Sequence, residues 1–200
     1  MRAVLAGALL ALAAAAPAHA GDGAVATVET LHAALLDIMK GGGKLGFTGR
    51  SDRIAPVVGH SFDFPTIARF VVGREWGKLS SEQQSRFLST FEQLSTATYA
   101  GRFDSFDGER FRTVGTEPQK RGYELVKTEL IDSDGDAVSL SYLLHESAGD
   151  WKIVNVIADG VSDLSLKRAD YASIMKAGGF DALIDKIKVQ ITQQDKGGGK

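Results

Sequence analysis

Apolar positions along the chain fall into two rhythms, helical at both ends and alternating in the middle. From Thr27 to Lys40, Val28, Leu31, Leu35, Ile38 and Met39 recur near helical spacing, and Gly41-Gly42-Gly43 is placed to stop the helix. Between Ile54 and Val72, Pro56, Gly59 and Pro65 interrupt the apolar residues, which predicts two short helical pieces separated by a turn. The second piece sets Ile67, Phe70 and Val71 on one face and ends at Gly73. Ser80 or Ser81, followed three residues later by Gln83 or Gln84, reads as a capping box for a helix whose stripe is Phe87, Leu88, Phe91, Leu94 and Tyr99. That stripe can be extended through Phe103 and Phe106 to Gly108.

After Gly108 the period changes to two. Four strands are predicted, over Arg110–Thr116, Gly122–Ile131, Ala137–His145 and Asp150–Ala158. Asp134-Gly135 and Ala148-Gly149-Asp150 supply hairpin turns, and Pro118 falls in the first connection. In the third strand Val138, Leu140, Tyr142 and Leu144 share a face, with Ser139, Ser141 and His145 on the other. Strict alternation in the last strand places Trp151, Ile153 and Ile157 on one face and Val154 and Val156 on the other, which implies cover on both sides. Helical spacing then resumes with Leu164, Arg168, Tyr171, Ile174 and Met175, breaks at Gly178-Gly179, and closes with Phe180, Leu183, Ile184, Ile187 and Ile191. Helices, a four-stranded antiparallel meander and helices again predict an α+β fold in which a curved sheet is wrapped on its concave side.

Two hundred residues suit one domain with a sizeable core. Residues 1–20 read as a secretory signal: Arg2 is the positive start, Ala3 to Ala15 the apolar run and Ala18-His19-Ala20 the cleavage motif. The expected organisation is therefore a signal at 1–20, a single exported domain at 21–195 and a disordered glycine-rich tail at 196–200. No cysteine is present, so there is no disulfide and no thiol to acylate into a lipoprotein anchor. The net charge of −2, or −3 once Arg2 leaves with the signal, argues against nucleic acid or a strongly anionic surface as the main partner.

Motifs for catalysis are missing from the sequence. His32, His60 and His145 form no HxxxH, HxH or HExxH spacing, so no metal site is expected. Asp132-Ser-Asp-Gly-Asp136 has its glycine two positions too early for an EF-hand loop and reads as a turn. No GxSxG surrounds a serine. The glycines at 41–43 follow no strand and precede no Gly-Lys-Ser/Thr, which leaves them as a helix stop rather than a phosphate loop. One enzymatic alternative is acid/base chemistry in a conical pocket, for which Asp63, Asp104, Tyr99 and Tyr142 could be enlisted. Neither a catalytic residue nor a cofactor is assigned. A second alternative is a non-enzymatic adaptor of a membrane complex.

The run from Trp151-Lys-Ile-Val-Asn-Val-Ile-Ala158 through Asp159-Gly-Val-Ser162 into two amphipathic helices resembles the end of the MlaC-type toluene-tolerance family. Val72-Gly-Arg-Glu-Trp76, Ser80-Ser-Glu-Gln-Gln-Ser-Arg-Phe87 and Phe91-Glu-Gln-Leu-Ser-Thr-Ala-Thr-Tyr99 are similar to that family's glycine-aromatic turn and following helix, so the likeness covers about Phe62 to Lys188. It implies an NTF2-like cone and a soluble periplasmic carrier, without enzyme activity, that moves lipid between an inner-membrane ABC transporter and an outer-membrane lipoprotein complex. Gly41 to Gly49 and Tyr99 to Phe111 further resemble the hopanoid-associated HpnM subgroup, which adds hopanoid to phospholipid as cargo. If the chain is such a carrier, facing selects Ile67, Phe70, Val71, Phe87, Phe91, Leu94, Tyr99, Val126, Leu140, Tyr142, Val154 and Val156 to line the lipid cavity, with Arg69 and Lys167 as head-group cations.

Overall fold

A computed structural model describes residues 20–197. The secretory segment read at 1–20 lies, apart from Ala20, outside the described residues, as does the end of the expected tail. Helix α1 (Ala20–Ser61) is two helical segments joined by a break, because Gly42 (φ 40, ψ −129) and Gly46 (φ 63, ψ 179) leave helical geometry. Glycine alone tolerates those angles without strain. The first segment buries Ala24, Val28, Leu31, Leu35 and Ile38 completely. Helix α2 (Phe64–Val72) starts at Asp63, whose carboxylate accepts from the Thr66 amide, with Pro65 in its first turn. After a tight turn over Gly73–Lys78, α3 (Ser81–Arg102) opens with the expected capping box, Ser80 paired reciprocally with Gln83. It stops at Arg102, short of the predicted extension; Phe106 is instead exposed, with the Lys40 ammonium 5.3 Å from its ring centre.

The sheet is an antiparallel meander, β1 (Arg110–Gln119), β2 (Tyr123–Ile131), β3 (Ala137–Ser147), β4 (Asp150–Ala158) and a two-residue β5 (Val161–Ser162), in that spatial order. β5 is an addition to the four predicted strands. Pro118 lies within β1, an edge strand and so a tolerated place for proline. Helix α4 (Asp163–Gly197) breaks at Gly179 (φ 74, ψ −165), as the glycine pair predicts. α3 packs against α1 and α4, α2 packs on α4, and the first segment of α1 crosses the concave face of the sheet.

Two bulges bend the sheet. One interrupts β1 pairing between Thr113 and Gly115; the other skips Val154, since Leu143 pairs with Asn155 while Leu144 pairs with Ile153. Residues directly opposite on paired strands share a face, so the Tyr142–Val156 and Leu144–Ile153 pairs put Ile153 and Val156 on the same side. This corrects the strictly alternating reading of β4: the extra residue turns Ile153 and the partly buried Val156 together toward the helices, and Val154 is buried like Ile153.

Candidate functional site

Helices and sheet do not close on each other everywhere. Between them lies a cavity of about 400 Å³, within the range of roughly 300–1,000 Å³ usual for small-molecule sites. On the sheet side it is lined by Leu130 of β2, Val138, Leu140 and Tyr142 of β3, and Val154, Asn155, Val156 and Ala158 of β4. Helix α3 contributes Phe91, Leu94, Ser95, Thr98, Tyr99 and Arg102; Met39, Ile67 and Leu164 come from the other helices, and Phe62 from the link between α1 and α2, where it bridges to Ile153.

The cavity has direction. Along the concave face of β3, exposure falls from 43% at Val138 to 2% at Tyr142 and 0% at Leu144, and Leu144 no longer lines the space. The mouth is therefore at the end of the sheet carrying the Asp132–Asp136 turn and the β4–β5 corner. Four residue steps along the strand from Val138 to Tyr142 correspond to a depth of about 13 Å. Apolar side chains enclose the deep end, whereas Arg102, Glu109, Asp163 and Lys167 stand among the lining residues around the mouth. Lys167 Nζ is 2.7 Å from Asp163 Oδ1. Burial pushes the Tyr99 phenol well above its ordinary value, with Tyr142 and Asp163 adding to the rise and Arg102 opposing it.

Tyr142 belongs to a buried polar pair. Its hydroxyl is 3.0 Å from His32 Nε2, and the His32 ring stacks on Phe111 with centres 3.8 Å apart and planes 10° from parallel. Burial lowers His32 to about 4 from 6.5, so it is neutral at pH 7. In the Nδ1–H tautomer the phenol donates to Nε2; in the other, Nε2–H donates to the phenol oxygen. A histidine whose folded value lies below its unfolded one adds stability at high pH and loses it as pH falls. The expected loss between pH 6.5 and 4 is on the order of 3 kcal/mol. Denaturant melts over that window should show it in the wild type and not in His32→Gln. Asp63, held below its usual range by hydrogen bonds from Thr66 and His145 despite burial, acts below its ordinary 3.8 and so outside this window.

The structure brings together Ile67, Phe91, Leu94, Tyr99, Leu140, Tyr142, Val154 and Val156 of the candidates, along with Lys167. The others lie elsewhere. Phe70 is 40% exposed beneath the Arg168 guanidinium, because α2 buries Ile67, Ala68, Val71 and Val72 instead. Val71 and Phe87 are solid core, Phe87 being packed against Trp76, Phe91 and Tyr171 between the helices. Val126 shares the concave face with Tyr142 but belongs to the filled core. Arg69 is exposed on the outside of α2 and does not reach the cavity. Arg102, which the sequence reading missed, continues the Phe91–Leu94–Tyr99 stripe by three residues and could have been found from it.

The four groups considered for acid/base chemistry are not assembled. Tyr99 and Tyr142 line the cavity, but Asp63 caps α2 and bonds His145 at 2.7 Å, and Asp104 is not among the lining residues. Among the described residues no three His, Cys, Asp or Glu side chains gather closely enough to hold a metal ion, and no helix is long and apolar enough to cross a membrane.

Residues 29–189 match the family described as MlaC protein. The chain is 24% identical over 127 residues to the intermembrane phospholipid transport system binding protein MlaC of Haemophilus influenzae, a match covering 62% of this chain and 59% of that relative's length. Its fold is similar to that of a phospholipid-binding protein from Ralstonia solanacearum solved in complex with a phospholipid: the TM-score is 0.72 at 22% identity, covering 86% of this chain and 98% of the other.

Proposed function

The chain belongs to the MlaC family, and from that premise we propose that it is a periplasmic carrier that holds the apolar part of a phospholipid in its cavity and shuttles it between the inner and outer membranes. The observation that carries this reading is the cavity itself, apolar at depth and charged at its mouth. Exposing a chain of ~16 methylenes to water costs on the order of 13 kcal/mol at ~0.8 kcal/mol each. A carrier must therefore hold an unfilled apolar space inside a fold that stays in water, and the gap between sheet and helices is such a space. The Haemophilus influenzae relative is named for intermembrane phospholipid transport and the Ralstonia solanacearum neighbour holds a phospholipid, which supports phospholipid as the cargo class. Arg102 and Lys167 at the mouth are positioned to meet the phosphodiester while the chains lie deeper. An inner-membrane ABC-type transporter and an outer-membrane lipoprotein complex are the partners this role requires.

Gently purified protein should yield about one equivalent of phospholipid on organic extraction, identified by mass spectrometry. A polycyclic hopanoid in its place would keep the carrier and change the cargo. Protein that is folded and empty from several hosts, and that takes up no lipid from vesicles, would end the carrier reading.

A further inference from the structure

We propose that Tyr142, held at its hydroxyl by His32, is the end-stop that sets the length of acyl chain the cavity accepts, an inference that rests on the carrier reading. Lining of the cavity stops at one row of the sheet. On β3 it runs Val138, Leu140, Tyr142, and on β4 it runs Ala158, Val156, Val154. The next pair inward, Leu144 with Ile153, is completely buried and borders no space.

Tyr142 is the largest residue in that last row and is 2% exposed. Its ring is not free to swing away, because the hydroxyl is tied to His32 Nε2 and His32 is clamped against Phe111. A single aliphatic residue at this place would yield to a longer chain by changing rotamer; a phenol anchored at its far end cannot do so without breaking a buried hydrogen bond. Close-packed residues behind the ring leave no alternative route. His32 is thus a positioning residue that acts through the ring.

The test uses purified protein and two readouts: the chain lengths of co-purified phospholipid, and competition by a ladder of saturated fatty acids of increasing length. Wild-type protein is expected to show an optimum and then a roughly tenfold fall in affinity for the first chains that overreach it. Tyr142→Leu should move the optimum to longer chains by roughly two to four carbons, the space a phenol vacates. Val156→Phe, which fills the same row from the neighbouring strand, should move it to shorter chains and provides the test should Tyr142→Leu not fold. His32→Leu should broaden the distribution toward longer chains, an effect that a purely structural histidine would not produce. Lipid bound in every variant with an unchanged chain-length profile overturns the end-stop and leaves the carrier intact. Wild-type protein that binds no member of the ladder and carries no lipid overturns the carrier reading and the end-stop with it.

Discussion

Replacing Val156 by glutamate should abolish lipid loading while leaving the fold in place. Val156 lines the cavity opposite Tyr142, in the last open row before the core closes. In the empty protein a carboxylate there faces a space that water can enter. With cargo aboard it would lie against hydrocarbon, where it must either be desolvated or take up a proton, at a cost of a few kcal/mol in either case. A penalty of about 3 kcal/mol corresponds to a roughly hundredfold loss of affinity. Phospholipid recovered by extraction should fall to background, while circular dichroism and the cooperativity of melting stay close to wild type. Ser141→Glu, on the convex face opposite Ile157, makes the same charge change without touching the cavity and should remain loaded. Full loading of Val156→Glu would show that the space between sheet and helices is not where the chains go.

Where the chemistry of a residue type dictates geometry, the sequence was readable. Gly42 and Gly179 break helices at positive φ, Ser80 and Gln83 cap α3, and Asp134-Gly135 turns β2 into β3. Alternation located all four principal strands to within a few residues. The failures share a different cause. Ile153-Val154 is apolar twice over, so nothing in residue type marked the bulge that brings Ile153 and Val156 to one side. In α2 helical spacing put Phe70 on one inward face with Ile67 and Val71, yet Ala68 is the buried residue and Phe70 lies under Arg168. Val71, Phe87 and Val126 were legible as interior; whether an interior residue borders filled or open space depends on how neighbouring elements are spaced, which no local pattern records.

Arg50→Ala should be among the most destabilising single changes in the protein, with an expected loss of about 2–4 kcal/mol. Arg50 is 2% exposed, an unusual place for a guanidinium, and two of its three nitrogens meet carbonyls while the buried Nη2 has no partner. Its Nε donates to the Ala100 carbonyl at 2.8 Å and Nη1 donates to the Gly42 carbonyl at 3.2 Å. Ala100 is in the last turn of α3, and Gly42 marks the break that ends the first segment of α1. Both acceptors therefore belong to helix C-termini, where carbonyls lack intrahelical partners and the helix dipole is negative. One cation caps two helices. It also joins the two pieces of structure next to the mouth, since Arg102 and Met39, both lining residues, lie within three residues of the bonded carbonyls. Truncation would strand the buried Ala100 carbonyl and the part-buried Gly42 carbonyl, open a void and release the α1 break from the end of α3. Arg50→Lys, with one compact ammonium in place of a fork, can serve only one of the two carbonyls and should recover part of the loss. Urea melts of the three proteins give the ranking wild type, Arg50→Lys, Arg50→Ala; equal midpoints for all three would show that the two helix ends hold together without the arginine.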